Sequence, residues 1–248
     1  RRHRVRAARW AGIALGCGIE SEAISPPGLH LPMMPPMEIL LVRHGEPVTA
    51  FSETEPVDPE LTARGHWQAE CLAAWLAHEP IDYVVASSKR RAIETATPLA
   101  NRLGLEPEII PDLVEIDRNA KIYAPPPLLK ERFPEYYESI QKGEFERIGW
   151  DSFEVFRARV RGAWQALLDR PRGERVVVAC HGGTIGVILS HVLEIQSHTL
   201  LDATPFASIT RLVVEEGGVR VRSLHEIAHF DGVRERAVGP EGEGFASA

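Results

Sequence analysis

Cysteine is scarce in this chain of 248 residues: only Cys17, Cys71 and Cys180 occur. An odd number, wide spacing and no CxxC pair argue against a disulfide framework or a zinc knuckle, and fit a reducing, cytoplasmic setting. No HxH or HExxH spacing is present either, so no metal ligand set is expected. Nor does any apolar run reach the roughly 18–20 residues that a membrane span needs, so no membrane partner is expected. A basic excess is also missing. The formal net charge is -7, and residues 1–36 carry five arginines against two glutamates, which leaves -10 for the remainder. So acidic a body argues against a nucleic-acid partner, which would require a basic face. It does not exclude a small phosphate ligand, which responds to a local arginine cluster rather than to the global sum. With 44% apolar and 25% charged residues the composition is that of an ordinary globular protein. The length suits one α/β domain with one sizeable core.

The two ends differ from the middle. Residues 1–36 open with RRHRVRAAR and close with the proline-rich SPPGLHLPMMPP. A basic start before the short apolar stretch Trp10–Ile19 is compatible with a signal peptide, but no small-residue cleavage site follows cleanly. The reading adopted is a disordered extension, translated from upstream of the true start. Met37 directly precedes the first strand-like run, so residues 37–238 are expected to form the folded domain. Residues 239–248 (PEGEGFASA after Gly239) have little to bury and read as a disordered tail.

Between the ends, short aliphatic runs alternate with helical patterns. Glu38–Val42, Tyr83–Ala86, Glu108–Ile110 and Arg175–Cys180 are short and apolar, as buried strands are. Ser208–Val214 and Val219–Leu224 alternate in polarity around Glu215-Glu216-Gly217-Gly218, which predicts a hairpin. Helices are expected over Thr62–His78, Arg91–Arg102, Pro127–Lys142, Ser152–Leu168 and Thr184–Leu193. Strands alternating with helices imply an α/β fold: a three-layer α/β/α sandwich with a mostly parallel central sheet covered on both faces.

Three of those strands run straight into polar residues. The first meets Arg43-His44-Gly45-Glu46, the second Ser87-Ser88-Lys89-Arg90-Arg91, and the fourth His181-Gly182-Gly183-Thr184. In open α/β sheets ligands bind beyond the carboxyl ends of the strands. Each motif alone has a bland reading: a histidine after a strand is usually a hydrogen-bonded loop residue, and Arg91 alone is a helix-face charge. Weight comes from the arrangement occurring three times. If the strands are parallel neighbours, two histidines and two arginines share one crevice. Two guanidiniums can grip phosphoryl oxygens, and a neutral imidazole in line with phosphorus can form a covalent intermediate. Gly182 and Gly183 would let backbone N–H groups approach the anion at a helix start. The leaving alkoxide would need a proton from a nearby acid.

Leu41-Val42-Arg43-His44-Gly45-Glu46 resembles the first motif of the histidine phosphatase superfamily, which includes cofactor-dependent phosphoglycerate mutases. Leu61-Thr62-Ala63-Arg64-Gly65, Arg91-Ala92-Ile93-Glu94-Thr95-Ala96 and Cys180-His181-Gly182-Gly183 are similar to further motifs of that family, in the same order. The resemblance implies a phosphoglycerate mutase-like fold, with His44 as the phosphorylated nucleophile and Arg43, Arg91 and His181 around the phosphate. It also implies a glutamate donor in an LxE context, which Leu113-Val114-Glu115 fits; Asp117 is the substitute and Arg90 the competitor to Arg91.

Several departures bear on the activity. The Pro-Leu that often precedes the second arginine is absent, and no asparagine follows in Pro47–Phe51, which weakens a mutase assignment. Neither RHGxRxP nor a His-Asp pair is present, which points away from the acid-phosphatase branch and towards the smaller first branch. His225-Glu226-Ile227-Ala228-His229 stands where the family has Asn-Asp-x-x-His and reads as structural. The expected activity is therefore a metal-independent, cofactor-free phosphatase acting on a phosphorylated small molecule. Mutase chemistry and noncatalytic phospho-ligand binding are the alternatives, and a homodimer is compatible with this reading. Aromatics within Asn119–Trp150 could line a pocket for the organic part, although core packing is their commoner use.

Overall fold

The computed structural model describes residues 36–170, 175–195 and 204–231. The expected extension, apart from Pro36, and the expected tail lie outside the described residues. The chain forms β1 (Met37–Arg43), β2 (Ala50–Phe51), α1 (Ala63–Leu76), β3 (Tyr83–Ala86), α2 (Arg90–Leu103), β4 (Glu108–Ile109) and β5 (Ile122–Tyr123). There follow α3 (Pro126–Arg132), α4 (Pro134–Lys142), α5 (Phe153–Leu168), β6 (Arg175–Cys180), α6 (Gly182–Val192), β7 (Ile209–Glu215) and β8 (Gly218–Glu226).

The central sheet has the order β4-β3-β6-β1-β7-β8. Strands β4, β3, β6 and β1 are parallel, while β7 pairs antiparallel with β1 and with β8. The sheet is thus mixed, with its parallel part holding the motif-bearing strands. Successive side chains point to opposite faces of a strand, so β1 feeds two cores. Ile39 and Leu41 pack with Phe156, Val160 and Trp164 of α5 and with Ile185 and Ile188 of α6. Leu40 and Val42 pack with Leu72 and Leu76 of α1 and Leu99 of α2. Full burial of each such side chain stabilises by about 1.5–3 kcal/mol. The alternation of apolar residues on both faces is what makes three layers.

Helix boundaries follow local chemistry. Thr62 caps α1 by accepting a hydrogen bond from Gly65 N, and Ser152 caps α5 by accepting from Val155 N. The segment expected as one helix over Pro127–Lys142 is two. It breaks at Phe133 (φ -135°, ψ 57°), because a residue before proline is pushed out of the helical region and Pro134 has no N–H. Helix α6 begins at Gly182 rather than Thr184. The two-residue strands β2 and β5, which pair antiparallel, were not expected, since a pair so short carries no periodicity.

Candidate active site

Strand order decides the site. Because β6 lies between β1 and β3, Val42, Ala179 and Ala86 stand in one row across the sheet. The next residues, Arg43 and His44, Cys180 and His181, and Ser87, therefore leave the same edge. His44 N donates to Cys180 O at 2.9 Å, which fastens the two histidine turns together. Their rings lie 5.2 Å apart, edge to face.

His44 Nδ1 lies 2.7 Å from the carbonyl oxygen of Gly45. A carbonyl only accepts, so Nδ1 of the neutral ring carries the proton and Nε2 keeps its lone pair. Burial pulls the imidazole well below its ordinary pKa, and the positive charges of Arg91 and Arg43 pull it further. The ring is therefore neutral and nucleophilic in form at neutral pH.

The turn after β1 is held by close backbone approach. Gly45 N donates to Thr95 Oγ1 at 2.9 Å, and Glu46 N donates to Gln68 Oε1 at 2.8 Å. A Cβ at Gly65 would meet Glu46 O at 2.1 Å, and one at Gly45 would meet Gly65 O at 2.7 Å. The glycines of the first two motifs are thus a mutual contact that brings α1 against the nucleophile's turn. Ala207, in the left-handed region at φ 52°, donates from its N–H to His44 O at 3.2 Å.

His181 Nε2 lies 2.8 Å from Ser87 Oγ, and that oxygen accepts from Lys89 N at 3.4 Å. The Ser87 hydroxyl can donate to Nε2 in the tautomer that carries its N–H on Nδ1. Nδ1 is buried with no hydrogen-bond partner. Burial, followed by Arg91 and His44, lowers the pKa of His181 well below normal.

Arg91 is 1% exposed, with Nη2 3.1 Å from each carboxylate oxygen of Asp117 and its guanidinium 4.7 Å from the Tyr123 ring. Burial alone would lower its pKa, but Asp117 and Tyr123 outweigh it and the net direction is upward. Arg43 donates from Nη1 to Thr204 O and lies 4.1 Å from the Phe206 ring. Burial lowers its pKa, against Tyr123 and Glu115. Arg90, the competitor, is exposed and engaged with Asp58, Glu60 and Glu94. It takes no part in the pocket.

Glu115 accepts from Ile116 N at 2.9 Å through Oε1 and from Gly183 N at 2.7 Å through Oε2. Burial and the neighbouring Asp117 raise its pKa, against these two N–H groups and Arg91. A raised pKa is what a carboxylic acid needs in order to hold a proton for transfer. Asp117 is committed to Arg91, so the geometry separates the two acids that the sequence left as candidates. The Gly183 N–H, expected to face an anion, is taken by Glu115. A Cβ at Gly183 would fall 2.1 Å from Glu115 Oε1, which explains the second glycine of the motif. Gly182 is the buried first residue of α6.

The residues that sequence reasoning gave no role are Ser87, Thr95 and Phe206. Ser87 and Thr95 lie inside motifs that were read, yet their partners sit 94 and 50 positions away. Phe206 lies 5.6 Å from the His44 ring and is reached only through the loop before β7, for which the sequence carries no signal. Arg43 Nε and Arg91 Nε and Nη1 are buried donors without a partner, and His181 Nδ1 is a buried ring nitrogen without one. Buried donors are rarely left unpaired, since each costs about 1–3 kcal/mol. Their collection around one neutral histidine is the arrangement of a grip for an anion.

The family model of the histidine phosphatase superfamily (branch 1) matches residues 39–227. Phosphoserine phosphatase 1 of Hydrogenobacter thermophilus is 31% identical over 156 residues, 58% of this chain and 71% of that one. Phosphoglycerate mutase-like protein 4 of Arabidopsis thaliana is 32% identical over 160 residues, 60% of this chain and 67% of that one. The solved structure of Bacillus stearothermophilus YhfR aligns with a TM-score of 0.65 at 21% identity, covering 79% of this chain and 100% of that one. That likeness speaks for the fold, which is phosphoglycerate mutase-like. Since the family match reaches into every strand of the central sheet and takes in all four motif segments, this chain belongs to the histidine phosphatase superfamily, branch 1.

Proposed function

We propose that this protein is a phosphatase that hydrolyses a small phosphomonoester through a phosphohistidine at His44. The observation that carries the reading is the set of unpartnered buried nitrogens on Arg43, Arg91 and His181 around the Nε2 lone pair of His44. The names of relatives such as the phosphoserine phosphatase support the same class.

In the first step Nε2 of His44 attacks phosphorus and the ester P–O bond breaks. The departing alkoxide takes the proton of Glu115. In the second step Glu115, now a carboxylate, takes a proton from water as the water oxygen attacks phosphorus. The P–N bond breaks, its electron pair returns to Nε2, and inorganic phosphate leaves. Arg43 and Arg91 match the developing negative charge with guanidinium donors, and His181 adds an N–H. Each donor is already fixed by Thr204, Asp117 or Ser87, so little reorganisation accompanies the reaction.

The test is hydrolysis of an aryl phosphate by wild type and His44→Ala, with and without a chelator. His44→Ala should lose about 10³-fold or more in kcat/KM, and chelator should have no effect. Equal hydrolysis by both proteins would refute the nucleophile. Labelled substrate should leave an acid-labile, base-stable label on wild type only, and its transfer to water rather than to an added alcohol separates hydrolase from mutase.

A further inference from the structure

We infer that Arg159 of α5 is a positioning residue for leaving-group protonation: it sets the peptide unit that holds the Glu115 carboxyl. This deepens the proposed function and rests on it. Helix α5 carries three arginines, and Arg157 and Arg161 are exposed. Arg159 is turned inward, with its side chain 8% exposed and its guanidinium 5.4 Å from the ring of the buried Phe156. There it meets the backbone of the segment that carries the donor. Nη1 donates to Asp112 O at 2.9 Å and to Val114 O at 2.7 Å. Nη2 donates to Glu115 O at 3.2 Å and to Asp151 Oδ2 at 2.8 Å. Asp151 laces the same segment a second time, since its own N–H donates to Ile116 O at 2.9 Å. Val114 and Glu115 belong to no helix or strand, so their carbonyls have no regular ladder to join. A planar fork with several donors can serve three carbonyls and a carboxylate at once, which a compact ammonium cannot.

The carbonyl of Glu115 ties this clamp to the chemistry. Glu115 C=O and Ile116 N–H belong to one peptide unit, which is planar and trans, so they point in opposite directions. With the oxygen drawn to Arg159, the N–H is turned the other way, and it donates to Glu115 Oε1 at 2.9 Å. From the other side Gly183 N donates to Oε2 at 2.7 Å, and Thr184 Oγ1 donates to Leu113 O at 3.1 Å. The donor carboxyl is thus slung between α5 and α6. Gly183 fixes one of its oxygens; Ile116 N–H, with Arg159 behind it, fixes the other and so the plane of the group. A proton donor has to lie within hydrogen-bond reach of the leaving oxygen, and misplacement by about 1 Å can cost up to about 10²-fold.

The experiment measures kcat/KM for ethyl phosphate and nitrophenyl phosphate with wild type, Arg159→Met and Arg159→Lys, each also combined with Glu115→Gln. Arg159→Lys keeps a positive charge beside Asp151 but loses the fork. Both substitutions should lower kcat/KM about ten-fold for ethyl phosphate, whose alkoxide needs a proton, and less than about two-fold for nitrophenyl phosphate, whose leaving group does not. In the Glu115→Gln background neither should lower the value for ethyl phosphate by more than about two-fold, because no acid proton is left to place. If Arg159→Met does not fold, Arg159→Lys carries the same comparison. Equal losses on the two esters would overturn the inference and leave Arg159 as a support of the fold alone. An undiminished further loss in the Glu115→Gln background would overturn it too. A wild type that hydrolyses neither ester would overturn the phosphatase reading, and the inference with it.

Discussion

At the amino end of β1, Glu38 takes hydrogen bonds from Arg175 of β6 and Arg222 of β8, and Arg211 of β7 reaches Glu79 and Glu226. At the carboxyl end of the same strand, Arg43 pairs with no carboxylate among the described residues, and Arg91 has only Asp117. Both ends bring arginines together from separate elements. At the first, carboxylates match the guanidiniums, so the charges tie four strands and the end of α1 together. At the second, buried donors outnumber acceptors, which disfavours the fold by itself and suits a ligand that brings its own negative charge. What surrounds each arginine decides whether its charge is matched within the fold.

The largest test of that contrast is Arg43→Met. Loss of one charged grip should lower kcat/KM for an aryl phosphate by about 10²–10³-fold. Melting should be unchanged or raised, because a buried charge without a carboxylate partner is removed. A clear fall in thermal stability would break the comparison. Next is Glu115→Gln, which keeps the acceptor for Gly183 N but holds no transferable acid proton. It should lower kcat about 10²-fold for an alkyl phosphate and much less for a nitrophenyl phosphate, whose leaving group needs no proton. Equal losses on both substrates would remove Glu115 as donor. At the opposite end, Arg211→Met should cost about 1–3 kcal/mol in denaturant unfolding, by stranding Glu79 and Glu226, while activity stays within about two-fold.

The smallest effects are slopes of stability against pH, and the two ends should differ in sign. Glu79 is held below its ordinary pKa, chiefly by the hydrogen bonds from Arg211. Its contribution is present above about pH 4.5 and is lost as pH falls through the folded value. Glu115 is held above its ordinary pKa, chiefly by burial. Its contribution is full below about pH 4.5 and is lost as pH rises through the folded value. Melting curves from pH 3 to 8 should show Glu79→Gln losing stability relative to wild type towards neutrality, and Glu115→Gln gaining it. Parallel shifts in the two variants would contradict this assignment.

Much of this was legible from the chain. EILLV, YVVA and RVVVAC had to be buried strands because they are short, apolar and bounded by polar turns. The polar residues that follow them had to sit at strand ends. Arg43, His44, Arg91 and His181 could therefore be named, and the resemblance added Glu115. The preference for Glu115 over Asp117 and for Arg91 over Arg90 came from the resemblance alone. Both pairs are one or two positions apart, and local pattern carries no information about which side chain meets a partner elsewhere. Nor could the turn at Phe133 or the β2–β5 ribbon be read with the same ease, since a single proline and two-residue strands produce no period.

The sequence by itself determined the elements and the chemical inventory, because periodicity, capping residues and residue type are local properties. Only the tertiary structure decided which donors face one another and which are neutralised. Placing β6 between β1 and β3 joins His44 to His181. The reach of Asp117 to Arg91 and of Ser87 to His181 pairs a charge and orients a ring across dozens of residues. The ribbon puts Tyr123 over Arg91. Burial and distance set those outcomes, and both are properties of the folded chain.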